Sequence, residues 1–185
     1  MTSDDEHKPA ENQGEQPTAQ AQPAAPDLGE CVLSPEHLAY IEQHASDTYP
    51  EECCGVLIGK PGRRVKVAMV RPAANRTANG RRDRYEIDPG EILHLAQLGE
   101  KLRCEIVGFY HSQPDQEPVP SASDLARAWP AYAYLIIGID AEDSAQTRAW
   151  IYDEDTHQYY EQPIVLDPDP LGVEAGLQIV REPDR

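Results

Sequence analysis

The order and length of the apolar runs predict an α/β (α+β-like) fold, a mixed β-sheet sandwiched by helices. Three observations carry this. Short, continuous apolar runs such as Cys53–Gly59 and Tyr134–Ile139 are strand-sized and bounded by turn residues. Two segments opened by Ser34-Pro35 and Asp88-Pro89 carry apolar residues at helical spacing. The elements run α, ββ, β, α, β, short α, βββ, which is not a βαβ repeat.

Residues 1–31 are expected to form a disordered acidic tail rich in Pro, Ala and Gln. They hold Asp4, Asp5, Glu6, Glu11, Glu15, Asp27 and Glu30 against Lys8, and almost no large apolar side chain. Such a segment cannot bury enough surface to offset its ordering entropy. The folded domain is expected over 32–166, and 167–185 reads as a turn-rich C-terminal tail with a weak apolar patch at Val173, Leu177, Ile179 and Val180.

Within the domain, Ser34 is a helix cap and Pro35 the first helical residue. Leu38, Ile41 and Ala45 then share a face, so a helix is predicted over 35–48, stopped by Tyr49-Pro50. Cys53–Gly59 is a buried strand and Lys60-Pro61-Gly62 a turn. Val65–Val70 is a second strand; 71–84 is a polar loop before a short strand at 85–87. Asp88, Pro89 and Glu91 start a second helix that runs to about Arg103, with Ile92, Leu93, Ala96 and Leu102 as its apolar face. Cys104–Tyr110 is a strand, 112–123 a loop, and a short helix carries Leu125, Ala128 and Trp129. Tyr134–Ile139, the most apolar strand, is expected at the centre of the sheet, and 147–152 and 158–165 complete it.

The 185 residues fit one domain with tails. A formal charge of −17 argues against nucleic acid and against anionic membrane as partners. The acidic N-terminus lacks an apolar leader core and no run reaches membrane-span length, so the expected location is cytoplasmic. Cys31, Cys53, Cys54 and Cys104 show no Cys-x-x-Cys spacing and read as free, buried thiols.

The chemistry concentrates in Gly108-Phe109-Tyr110-His111-Ser112-Gln113-Pro114 and Pro120-Ser121-Ala122-Ser123-Asp124. His111 is placed just past a strand, and position 113 shares its face. Ser121 and Asp124 share a face at a helix start. A His/X/Asp set can hold zinc with an open position for a catalytic water. Ser-x-x-Asp is equally an ordinary capping pattern, and one His at a strand end is equally a polar surface residue.

This pattern resembles the JAMM (MPN+/Mov34, JAB) metallopeptidase signature: a Glu ahead of an apolar strand, His-Ser/Thr-His-Pro, then Pro-Ser-x-x-Asp. Here it is Glu52 before CCGVLIG, His111-Ser112-Gln113-Pro114, and Pro120-Ser121-Ala122-Ser123-Asp124. The similarity extends over roughly 33–165 and is greatest to the small bacterial stand-alone members. It implies the MPN/JAB (cytidine deaminase-like) fold. It also implies a zinc-dependent peptidase or isopeptidase that cuts near the C-terminus of a ubiquitin-like β-grasp sulfur-carrier protein. By position, His111 and Asp124 would be zinc ligands, Glu52 the general base and Ser121 the oxyanion donor. Glu51 is the alternative base from sequence alone.

Gln113 stands where the family has its second ligating His. An amide oxygen suits harder ions better than zinc. Weak ligation by Gln113, a substitute such as Asp115, or no zinc all stay open. The alternative function is a catalytically inactive MPN-type module that binds or scaffolds the same kind of partner.

Overall fold

The computed structural model describes residues 29–77 and 84–172. The expectations for the first 28 residues and for the apolar patch after residue 172 lie outside them. Among the described residues, eight strands form one sheet: β1 (Glu30–Leu33), β2 (Cys54–Lys60), β3 (Arg64–Ala73), β4 (Glu105–Pro114), β5 (Ala133–Ile139), β6 (Ala145–Asp153), β7 (Gln158–Gln162) and β8 (Ile164–Leu166). Three helices accompany them: α1 (Pro35–Thr48), α2 (Pro89–Lys101) and α3 (Ala122–Leu125). The strand order is β7-β6-β5-β4-β2-β3-β1-β8. Pairing is mixed: β1 runs parallel to β3 and β8, and β4 parallel to β5. β2 is antiparallel to both β3 and β4, and β6 to both β5 and β7.

Both long helices begin where their caps predict. Ser34 accepts the His37 N–H at 3.1 Å, and Asp88 accepts the Gly90 N–H at 2.8 Å. Each helix covers one side of the sheet. On the α1 side, Ile41 and Ala45 join a cluster drawn from β1 to β6 that includes Leu57, Tyr110, Leu135 and Ile137. On the α2 side, Leu95 packs with Cys54, Val56 and Ile58. Cys53 and Cys54 accordingly face opposite clusters, and all four cysteines are free and buried. Burial pushes the Cys53 thiol up to about 11 and Cys31 and Cys54 to about 12. Among the described residues no helix is long and apolar enough to cross a membrane.

Several expectations are corrected. The first strand among the described residues begins at Glu30, inside the expected tail, where β1 adds to the β3 edge in parallel. β3 runs on to Ala73, into the expected loop. Residues 85–87 form no strand; Glu86 makes a single backbone bond from Arg76 N–H at 2.8 Å. β4 does not end at Tyr110 but continues through Pro114, so His111, Ser112 and Gln113 are buried strand residues. The segment 158–165 is two strands broken at Pro163, which cannot donate to a ladder. Those strands lie at opposite ends of the sheet order with one residue between them, so the sheet curls until its edges meet. β5 is interior and wholly buried, one position off the centre.

A bulge in β4 decides which side chains face α2. Leu57 pairs with Gly108 and Ile58 with Ile106, leaving Val107 as the extra residue. Val107 and Tyr110 therefore enter the α1-side cluster, while Ile106 and Phe109 pack on the α2 side. His111 and Gln113 follow Phe109 at strand spacing on that same side.

The apolar stripe of α2 also differs from expectation. Leu93 is 60% exposed, whereas Leu95 and Gly99 are buried. Ile92, Leu95 and Gly99 recur at i, i+3 and i+7, the spacing of one helix face. Leu95→Ala should therefore cost about 2–4 kcal/mol in urea unfolding. Leu93→Ala should stay within about 0.5 kcal/mol. Equal losses would mean that α2 docks through a different face.

Candidate active site

The end of β4 and the entry to β2 build the floor of the site. Cys54 pairs directly with His111 in the antiparallel ladder. Two bonds reinforce that pairing. Cys53 N–H donates to the Ser112 hydroxyl at 2.8 Å, and Ser112 N–H donates to the Cys53 carbonyl at 3.1 Å. Glu52, two residues before Cys54, thus falls on the same face as His111. Its side chain is 5% exposed, while its neighbour Glu51 is exposed.

α3 supplies the opposite wall. Ser121 caps this one-turn helix and forms a reciprocal capping box with Asp124. Asp124 Oδ2 accepts both the Ser121 N–H, at 2.7 Å, and the Ser121 hydroxyl, at 2.6 Å. Asp124 Oδ1 is turned to His111 Nε2, 3.5 Å away. The Ser121 and Ser123 hydroxyls are 2.8 Å apart. The capping reading and the site reading of Ser-x-x-Asp therefore describe the same residues doing both.

His111 is 3% exposed. Burial lowers its imidazole below the ordinary value, partly countered by the Asp124 carboxylate. The ring is therefore neutral at pH 7, the form that can donate a lone pair. Tyr85 stacks on it, with centroids 4.6 Å apart and planes 25° apart. Burial and then the Asp124 charge hold the Tyr85 phenol well above the usual range, so it stays protonated.

Gln113 is 4% exposed. Its Nε2 donates to the Val119 carbonyl at 3.0 Å, which fixes the orientation of the amide because only the NH₂ can meet a carbonyl. Its Oε1 is buried without a hydrogen-bond partner. Asp115, the considered substitute, is exposed, has φ 58°, and accepts the Tyr49 hydroxyl at 3.0 Å. The remaining described histidines do not join the site: His37 and His44 lie on α1, His94 is exposed on α2, and His157 bonds Tyr152 in the β6–β7 turn. Among the described residues no three His, Cys, Asp or Glu side chains gather as a metal cluster.

A cavity of about 440 Å³ opens beside these groups. Glu52, Ser121 and Asp124 line it, with Phe109, Trp129, Tyr134 and Tyr159 as aromatic walls. Tyr85, Trp129 and Tyr159 were not singled out by sequence. Tyr85 opens the segment that reads as a short strand after the polar loop, and nothing in its spacing connects it to His111.

A curled mixed sheet between two helices, with polar side chains gathered where β2 begins and β4 ends, is the architecture of the JAB/MPN class. The chain belongs to the prokaryotic homologs of the JAB domain, whose family model matches residues 34–152. It is 40% identical over 118 residues to a protein named desampylase from Haloferax volcanii, covering 63% of this chain and 82% of that one. It is 29% identical over 125 residues to another so named from Pyrococcus furiosus, covering 66% and 82%. The fold is similar to the solution structure of a Desulfitobacterium hafniense protein, with TM-score 0.65, 26% identity, and coverage of 74% of this chain and 92% of that one. A Salinibacter ruber solution structure gives TM-score 0.58 and 30% identity, with coverage of 75% and 91%.

The depressed histidines carry a stability consequence. His37, His44 and His111 are all lowered from 6.5, mainly by burial. Below that value the unfolded chain binds protons that the folded chain refuses, so stability falls as pH falls. Urea unfolding of metal-free protein should show a declining free energy from about pH 7 to about pH 5. His111→Gln should flatten the decline; an unchanged slope would mean His111 is protonated in the fold.

Proposed function

We propose that this chain is a zinc-dependent peptidase or isopeptidase of the JAMM type. Its substrate would be an amide bond near the C-terminus of a ubiquitin-like β-grasp sulfur-carrier protein. One observation carries the reading: a buried carboxylate, a capped serine hydroxyl and a carboxylate facing a neutral imidazole meet at one cavity. The relatives named desampylase support a hydrolase, and the family model supports the JAB family.

The residues present fit a metal. His111 Nε2 and Asp124 Oδ1 would hold it. Gln113 Oε1, buried and without a partner, would complete the set in the position where a second imidazole is expected. When bound, zinc would polarise the scissile carbonyl and lower the pKa of a water to about 7. The protein does the rest. Glu52 accepts the proton of the attacking water and delivers it to the departing amine as the C–N bond breaks. Ser121 swings its hydroxyl hydrogen from Asp124 to the developing oxyanion.

A second reading, a non-catalytic MPN-type module for the same kind of partner, is favoured by Gln113 itself. One neutral amide oxygen in place of an imidazole should weaken zinc binding about 10–100-fold or more. Metal analysis separates the readings. Purified protein is expected to hold less than one zinc per chain, and Gln113→His to raise both zinc content and hydrolysis. A full zinc that survives dialysis would make Gln113 a competent ligand, and no gain on Gln113→His would favour the binding module. In protein that turns over substrate, Glu52→Gln should lower kcat by at least about 100-fold; unchanged turnover removes Glu52 as the base.

A further inference from the structure

Asn75 lies past the end of β3 in a stretch without regular structure. Its side chain nevertheless makes four backbone contacts. Nδ2 donates to the Glu52 carbonyl at 3.2 Å and to the Arg84 carbonyl at 3.1 Å. Oδ1 accepts the Thr77 N–H at 3.1 Å and the Glu86 N–H at 3.2 Å. One primary amide therefore joins the entry to β2, the exit from β3 and the segment before α2. Two of the four partners, Arg84 and Glu86, flank Tyr85.

Among the described residues, two further hydrogen bonds reach the backbone of that segment. Arg127 donates to the Tyr85 carbonyl at 2.8 Å, and Arg76 N–H to the Glu86 carbonyl at 2.8 Å. No ladder holds residues 84–87. The place of the Tyr85 ring over His111 is thus shared between the Asn75 amide, these two contacts and the packing of Tyr85 and Ile87 against the α2-side cluster. The chemistry of the amide is specific. It meets two acceptors and two donors at once, and no other side chain of that length offers both. Aspartate would set an oxygen against two carbonyls, and alanine would leave all four backbone groups unmet.

We propose that Asn75 is a positioning residue of the site. It holds Tyr85 flat against the His111 imidazole and, through the same NH₂, anchors the backbone of Glu52. The β2–β4 ladder sets the separation between the proton acceptor and the imidazole, and the amide ties the backbone of Glu52 to the segment that carries Tyr85. The effect on zinc rests on the peptidase reading above; the effect on the stack does not.

Nuclear magnetic resonance of the imidazole protons in the full chain tests this. A stacked ring shifts the His111 C–H resonances upfield. In Asn75→Asp and Asn75→Ala they should move downfield, toward an unstacked histidine. In Tyr85→Phe, which keeps the ring, they should hold their place. The resonances of His44, on the opposite side of the sheet, report whether each variant has folded; Asn75→Asp, the isosteric change, decides if the alanine variant has not. Zinc affinity, by competition with a chromophoric chelator, should fall about 10–100-fold in Asn75→Asp and stay at the wild-type value in Tyr85→Phe. Unmoved His111 resonances in folded Asn75→Asp overturn the proposal, as does unchanged zinc affinity. Wild-type protein that binds no zinc overturns the metal reading, while the resonance shifts still judge Asn75.

Discussion

The clasp between Cys53 and Ser112 sets the register on which the site depends. A backbone N–H meets a buried hydroxyl, a second N–H meets a carbonyl, and the ends of β2 and β4 are locked side by side. In a sheet a slip of one residue turns every side chain to the other face. Such a slip would send Glu52 toward α1 and leave His111 without a carboxylate across the ladder. The clasp is buried, so breaking it strands polar groups away from water. Register at this point is a chemical requirement as well as a packing preference.

The same sheet separates two kinds of work. The α1 side is a broad apolar cluster gathered from six strands, and the curl that brings β7 and β8 together wraps around it. The α2 side holds a smaller cluster and leaves room for the aromatic cavity and the polar groups. The bulge at Val107 divides these roles within one strand: residues before and after it would otherwise face the wrong sides. Stability is concentrated behind the sheet and chemistry in front of it.

What was legible in the chain follows the same division. Ser34-Pro35 and Asp88-Pro89 located both helices, because capping is local chemistry. The apolar runs located β2 and β5, because burial on both faces leaves an unbroken pattern. Glu52, His111, Ser121 and Asp124 were legible through the resemblance, since their meeting depends on register and not on spacing. The extent of β4 was not legible. His111, Ser112 and Gln113 look like loop residues, and they sit in a buried strand because each has a partner or an aim there. β1 and β8 were hidden for a different reason: short parallel edge strands carry little pattern of their own. The exposure of Leu93 was not legible, because helical spacing allows a stripe through Ile92 and Leu95 as well as one through Leu93 and Ala96.

Asp124 arrives at the site already immobilised. Two donors from Ser121 occupy one of its oxygens, on a helix of one turn too short to be stable by itself. The rotamer freedom that a carboxylate ordinarily loses on capturing a cation has been surrendered during folding. Whatever engages the other oxygen is spared that entropy, which for ordered side chains is on the order of 1 kcal/mol. The site thus begins from a partly rigid half, and small helices of this kind act as entropy reservoirs for the groups beside them.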